Sequence, residues 1–125
     1  MARQEGLNKA TQPYVAFLDC GDIYTSPDRL LECLQVVKEH PECYMYSWGH
    51  FEEKSIENSD ACIYTPISGS HNRMHGKIYN RDFLHKYHIS FCEESPRANE
   101  DIGFNISARL TAESLSRLDS TSHIY

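Results

Sequence analysis

The sequence predicts a single α/β domain, and three observations carry that expectation. An apolar run, Tyr14-Val15-Ala16-Phe17-Leu18, reads as a strand buried on both faces, of the kind found inside parallel sheets. A helix follows it at once, opened by Ser26-Pro27-Asp28 and closed before Pro41. Further short strands and helices then alternate to the end of the 125 residues, a length suited to one domain with its own core.

Taken in order, residues 3 to 11 read as a short helix that ends at Gln12-Pro13, because proline disfavours helix at the residue before it. Leu30, Leu31, Leu34 and Val37 recur at helical spacing, so 27–39 is expected to be an amphipathic helix packed on a sheet. Cys43 to Phe51, rich in aromatics, reads as a strand, with a polar break over 52–60. A weaker strand is expected over 61–67, then a loop at 68–72, a brief strand at Lys77-Ile78-Tyr79, and a helix capped by Asn80. An irregular polar loop spans 93–98. Glu100-Asp101 opens a last helix, with Ile102, Ile106 and Leu110 expected on its buried face, and a short strand is expected at the C-terminus.

Composition excludes several classes. A formal net charge of −6 and a pI of about 5.6 argue against nonspecific nucleic-acid binding, which needs basic patches. No apolar run reaches the roughly 18 residues of a membrane span, and the N-terminus has no apolar signal core, so a cytoplasmic protein is expected. Five cysteines, odd in number and without C-x-x-C spacing, point to free thiols rather than a disulfide framework or zinc knuckle.

Three clusters carry candidate chemistry. The buried run ends in Asp19-Cys20-Gly21-Asp22, at the strand end where ligands bind in open α/β sheets. Two carboxylates about 4 Å apart repel by roughly 4 kcal/mol at an effective dielectric of 20, a conflict that a divalent cation, a shared proton or full solvation removes. Asp-x-Gly-Asp is equally ordinary turn chemistry. At Glu100-Asp101, two acids in a first helical turn suit the macrodipole, and a carboxylate held there is also placed to take a proton from an incoming hydroxyl. In His71-Asn72-Arg73-Met74-His75-Gly76-Lys77, the two histidines lack a second ligand pair at fixed spacing, so zinc is not expected, while Lys77 or Arg73 could face a diphosphate.

In this order the pieces resemble the family 2 glycosyltransferases of the GT-A fold. The carrying residues are Ala2-Arg3-Gln4-Glu5-Gly6-Leu7-Asn8-Lys9-Ala10, then Tyr14 to Asp22, then Gly76-Lys77-Ile78-Tyr79-Asn80-Arg81-Asp82-Phe83-Leu84, Ile89-Ser90-Phe91 and Glu100-Asp101-Ile102-Gly103-Phe104-Asn105. The resemblance implies a truncated, Rossmann-like GT-A mixed sheet flanked by helices, lacking the opening nucleotide-binding segment. It implies inverting transfer of a sugar from a nucleotide-sugar donor to a hydroxyl acceptor. Asp101 would be the general base with Glu100 beside it. Asp19 and Asp22 would hold Mn²⁺ or Mg²⁺, with Gly21 standing where many members carry an acid. Arg3, Asp19, His75 and Lys77 would line the donor diphosphate.

Two other readings stand beside this one. The chain could be a non-catalytic GT-A module for binding or assembly. It could also be a haloacid-dehalogenase-like phosphatase with Asp19 as nucleophile, although Gly21 replaces that family's second acid. Strands left unpaired by a missing segment would expose a sheet edge, so a homodimer or partner chain is expected there.

Overall fold

The computed structural model describes residues 2–69, 72–92 and 99–118. The elements run α1 (Ala2–Lys9), β1 (Tyr14–Ala16), α2 (Pro27–Glu39), β2 (Met45–Ser47), β3 (His50–Ser55), β4 (Cys62–Ile67), β5 (Lys77–Asn80), α3 (Arg81–Lys86) and α4 (Glu100–Leu118). The expectations for His71, for the 93–98 loop and for a C-terminal strand after Leu118 lie on or run into residues outside the described set.

The chain is α/β, but every described strand pairing is antiparallel. A three-stranded sheet has the order β1-β5-β2, and β3 and β4 form a separate two-stranded hairpin. This corrects the parallel or mixed sheet expected from the Tyr14–Leu18 run. Only Tyr14–Ala16 pair, both Tyr14 and Val15 are half-buried, and Leu18 is 54% exposed. The strand enclosed on both faces is β5, in the middle of the sheet. Hydrophobicity alone did not separate the two strands, because an apolar run leaving an edge strand looks like a central one.

Period-two alternation divides the core into two layers across the sheet. Met45 and Tyr79 point to one side, into a cluster with Leu7, Met74, Phe83, Leu84, Ile89, Phe91, Phe104, Ala108 and Ala112. Tyr46 and Ile78 point to the other, against Cys33, Val37 and Cys43. Helix α2 covers this second face with the predicted bounds. It buries Cys33 and Val37 rather than the full leucine row, and Leu31 is 64% exposed. Ser26 holds the N-cap position without a side-chain capping bond, whereas Asn80 Oδ1 accepts from the Phe83 amide at 3.0 Å as expected.

Helix α4 lies on the first face with a different side inward than predicted. Phe104, Ala108 and Ala112 are buried while Leu110 is 51% exposed. Two alanines let the helix backbone approach the sheet closely. Phe104 then fills the remaining space, stacked on Phe91 with centroids 4.2 Å apart and edge-on to Phe17 and Tyr79.

The expected strand 43–51 is split at Trp48-Gly49, where the chain leaves the main sheet and enters the hairpin; β3 continues through Glu52–Ser55, where a polar break was expected. The junction is held by the Trp48 amide donating to the Gly76 carbonyl at 2.7 Å and by Ser47 Oγ donating to the Gly69 carbonyl. Gly76 has φ +65°, and a Cβ there would lie 2.5 Å from the Trp48 carbonyl oxygen. Gly76→Ala is therefore expected to destabilise the fold by about 2 kcal/mol or more, the sum of a left-handed penalty and a backbone clash. Urea unfolding checks it, and an unchanged midpoint would count against this account of the junction.

Candidate functional site

Helix α1 brings Arg3 to the rim of the sheet because it is tied down at three points. Leu7 is buried in the core, Gln4 Oε1 accepts from the Phe91 amide at 2.8 Å, and Arg81 donates to the Ala10 carbonyl at 2.9 Å. From there the Arg3 guanidinium spans two carboxylates distant in sequence, Asp19 at 2.7 Å and Glu100 at 2.9 Å. The hydrogen bond from Arg3 to Asp19, more than any other contact, pushes the guanidinium pKa further up, with Glu100 and Asp101 adding to it, so its charge is fixed.

The residues after β1 fold back on themselves. The Asp22 amide donates to the Asp19 carbonyl at 3.0 Å, and Gly21, at φ +96°, occupies the third position of this turn. A left-handed third residue is the geometry that calls for glycine. The two readings of Asp-x-Gly-Asp thus coincide, because the turn is what brings the two acids together. His75 joins them from the loop before β5, its Nδ1 lying 3.2 Å from Asp22 Oδ2. Asp19, Asp22 and His75 each offer one ligand atom, and all three atoms lie within 4.8 Å of one another.

This trio fits a divalent cation. Ligand atoms about 2.1–2.3 Å from a shared ion lie up to roughly 4.5 Å apart, so small side-chain movements suffice. Two carboxylate oxygens with one imidazole nitrogen form a mixed donor set that could hold a divalent first-row metal. His50, at the start of β3, packs behind His75 with ring centroids 5.4 Å apart. Burial lowers the His50 pKa, and the His75 ring lowers it further.

The acids of α4 complete the rim. Glu100 is bound by Arg3. Asp101 acts electrostatically on both Arg3 and the Tyr79 phenol. That phenol donates to Asn105 Oδ1 at 2.8 Å, one turn beyond Asp101, and burial holds it firmly protonated. Tyr79 and Asn105 are both fully enclosed, so their bond pins the first turns of α4 to the central strand.

Lys77 does not lie on an open wall. It is 4% exposed, and its ammonium donates to the Arg73 carbonyl at 2.6 Å. Burial, with Arg109 nearby, brings its pKa down to about 8. A lysine that loses its proton more easily folded than unfolded makes stability rise with pH between the folded and unfolded values. Stability is expected to climb from about pH 8 to pH 10 in urea titrations, before the buried tyrosines oppose it, and the climb should vanish in Lys77→Met. A flat profile in the parent protein would contradict this environment.

Sequence reasoning named Arg3, Asp19, Asp22, His75, Glu100 and Asp101, and these are brought to one rim. It named His75 for the donor diphosphate, and His75 stands beside Asp22, with its Nδ1 3.2 Å from Asp22 Oδ2. It missed His50, which meets His75 only through the chain reversal between β3 and β5, and it missed Asn105 and Arg109. A signal for the last two was present: Asp101, Asn105, Arg109 and Glu113 recur at four-residue steps along α4. No family model, curated protein or solved structure matches the chain. Among the described residues no helix is long and apolar enough to cross a membrane.

Proposed function

We propose that this protein is a glycosyltransferase that moves a sugar, with inversion, from a nucleotide-sugar donor to a hydroxyl acceptor, on a GT-A-like framework of the family 2 type. The observation that carries this reading is Arg3. By gripping Asp19 and Glu100 together, it joins the acidic turn after β1 to the acidic start of α4. A transfer site needs both at one place, a seat for a cation near the leaving diphosphate and a carboxylate for the acceptor proton.

In this reading Asp19, Asp22 and His75 hold a divalent cation, which supplies Lewis acidity toward the leaving diphosphate. Asp101 takes the proton of the acceptor hydroxyl as its oxygen attacks the anomeric carbon. Glu100 and Arg3 fix the orientation of the rim. Tyr79 and Asn105 keep the α4 N-terminus from turning away.

The test is Mn²⁺ binding, followed by paramagnetic resonance or calorimetry, then donor turnover. One site is expected, with affinity falling at least tenfold in Asp22→Asn and in His75→Ala, and nucleoside diphosphate binding should depend on the cation. Absence of Mn²⁺ binding at millimolar concentration would remove the transfer reading. Cation and nucleotide binding without any turnover would instead favour the non-catalytic module.

A further inference from the structure

His50 stands beside the cation seat, and the backbone fixes it there. It follows Gly49 at the start of β3, while His75 precedes Gly76 just ahead of β5. At this crossing the Trp48 amide donates to the Gly76 carbonyl at 2.7 Å. A Cβ on Gly76 would lie 2.5 Å from the Trp48 carbonyl oxygen and 3.7 Å from that of Gly49. The two histidines therefore leave one tightly apposed pair of chain segments, with ring centroids 5.4 Å apart. His75 Nδ1 in turn lies 3.2 Å from Asp22 Oδ2.

That ring spacing is close to what a shared ion imposes. With nitrogen–metal bonds of about 2.1 Å, two imidazoles at a tetrahedral angle hold their ring centres roughly 5 Å apart. The trio of Asp19, Asp22 and His75 closes without His50, so a nitrogen of the second ring must turn inward. The torsion that turns it, about Cβ–Cγ, is broad in histidine. An outer partner is also in place. Glu52 Oε1 lies 4.0 Å from His50 Nε2 and is held by Arg73 at 3.2 Å. A carboxylate behind the imidazole is the usual support of a metal-bound histidine.

We propose that His50 is a fourth ligand of this seat, so that two carboxylates and two imidazoles together select a first-row transition metal over Mg²⁺ or Ca²⁺. Imidazole suits the later first-row ions, whereas the two hard ions take oxygen shells. Mn²⁺ then binds too, but less tightly than Co²⁺ or Zn²⁺. The proposal rests on the cation seat of the transfer reading and not on transfer itself.

The experiment titrates the full chain with Co²⁺, followed by visible absorption and calorimetry, and then adds Zn²⁺, Mg²⁺ or Ca²⁺ in competition. One bound Co²⁺ is expected, displaced by Zn²⁺ but not by a tenfold excess of Mg²⁺ or Ca²⁺. Its affinity should fall at least tenfold, with an altered ligand-field spectrum, in both His50→Ala and His50→Phe. The phenylalanine keeps a ring against His75 and removes only the nitrogens, so it separates ligation from packing and decides the matter if the alanine variant does not fold. His40→Ala, which removes a histidine at the end of α2, should change nothing. No Co²⁺ binding by the parent protein, displacement by Mg²⁺, or parent-like affinity and spectrum in His50→Phe overturns the proposal. If binding falls in His75→Ala but not in the His50 variants, the three-ligand seat and the transfer reading stand without it. Metal binding through His50 with no effect of the ion on nucleoside diphosphate binding does the reverse, keeping the four-ligand site and removing the transfer reading.

Discussion

Under the proposed transfer function, Asp101→Asn is expected to lower sugar transfer by about 10²–10⁴, with Mn²⁺ and nucleotide binding unchanged. The amide is nearly isosteric with the carboxylate and keeps its place in the first turn of α4, but it cannot take a proton. General-base assistance is worth about that factor, or about 3–5 kcal/mol of barrier. Asp101 makes no ion pair at its oxygens among the described residues, unlike Glu100, which Arg3 holds at 2.9 Å. Glu100→Gln should therefore act differently, loosening the rim and weakening nucleotide binding as well as turnover. Rates measured on saturated donor separate the two variants, and equal turnover by parent and Asp101→Asn protein would remove the assigned base.

Phe104→Ala is expected to cost about 3–5 kcal/mol, a large part of the 5–15 kcal/mol typical of a domain. Phe104 is 2% exposed and touches three other rings, with centroids at 4.2 Å (Phe91), 5.4 Å (Tyr79) and 5.7 Å (Phe17). Such ring pairs add roughly 0.5–1.5 kcal/mol each beyond buried area. These contacts join β5, α4, the segment after β1 and the segment around Phe91, so the vacated space cannot close by moving one side chain. Urea denaturation measures the loss, and a change below 1 kcal/mol would mean that the ring cluster is not the anchor of α4.

Much of the local structure was legible because it rests on chemistry close in sequence. Pro27 at the start of α2 and the Asn80 cap act within one turn, and both helices begin where expected. The failures share a cause in tertiary packing. Leu110 looked like core and is exposed, while Ala108 and Ala112, absent from the expected buried face, are buried, since closeness of approach decided which face of α4 turned inward. The apolar run at Tyr14–Leu18 announced a central strand, yet centrality depends on neighbours, and Lys77–Asn80 took that place. Asp19, Asp22, Glu100 and Asp101 could be named from acid placement at element ends. Arg3 came only with the family resemblance, and no spacing could show that its guanidinium would bind both Asp19 and Glu100, 16 and 97 residues away.

That double grip makes α1 a latch for the rim, although the helix contributes only Leu7 as a buried side chain. Asp19 gives one oxygen to Arg3 and keeps the other to offer elsewhere, so an arriving ion and the guanidinium pull on the same carboxylate from two sides. Under the proposed function, an ion in the turn would therefore act, through this one side chain, on the start of α4. Cutting that tether with Arg3→Met would leave the turn after β1 and the start of α4 without the side chain that joins them.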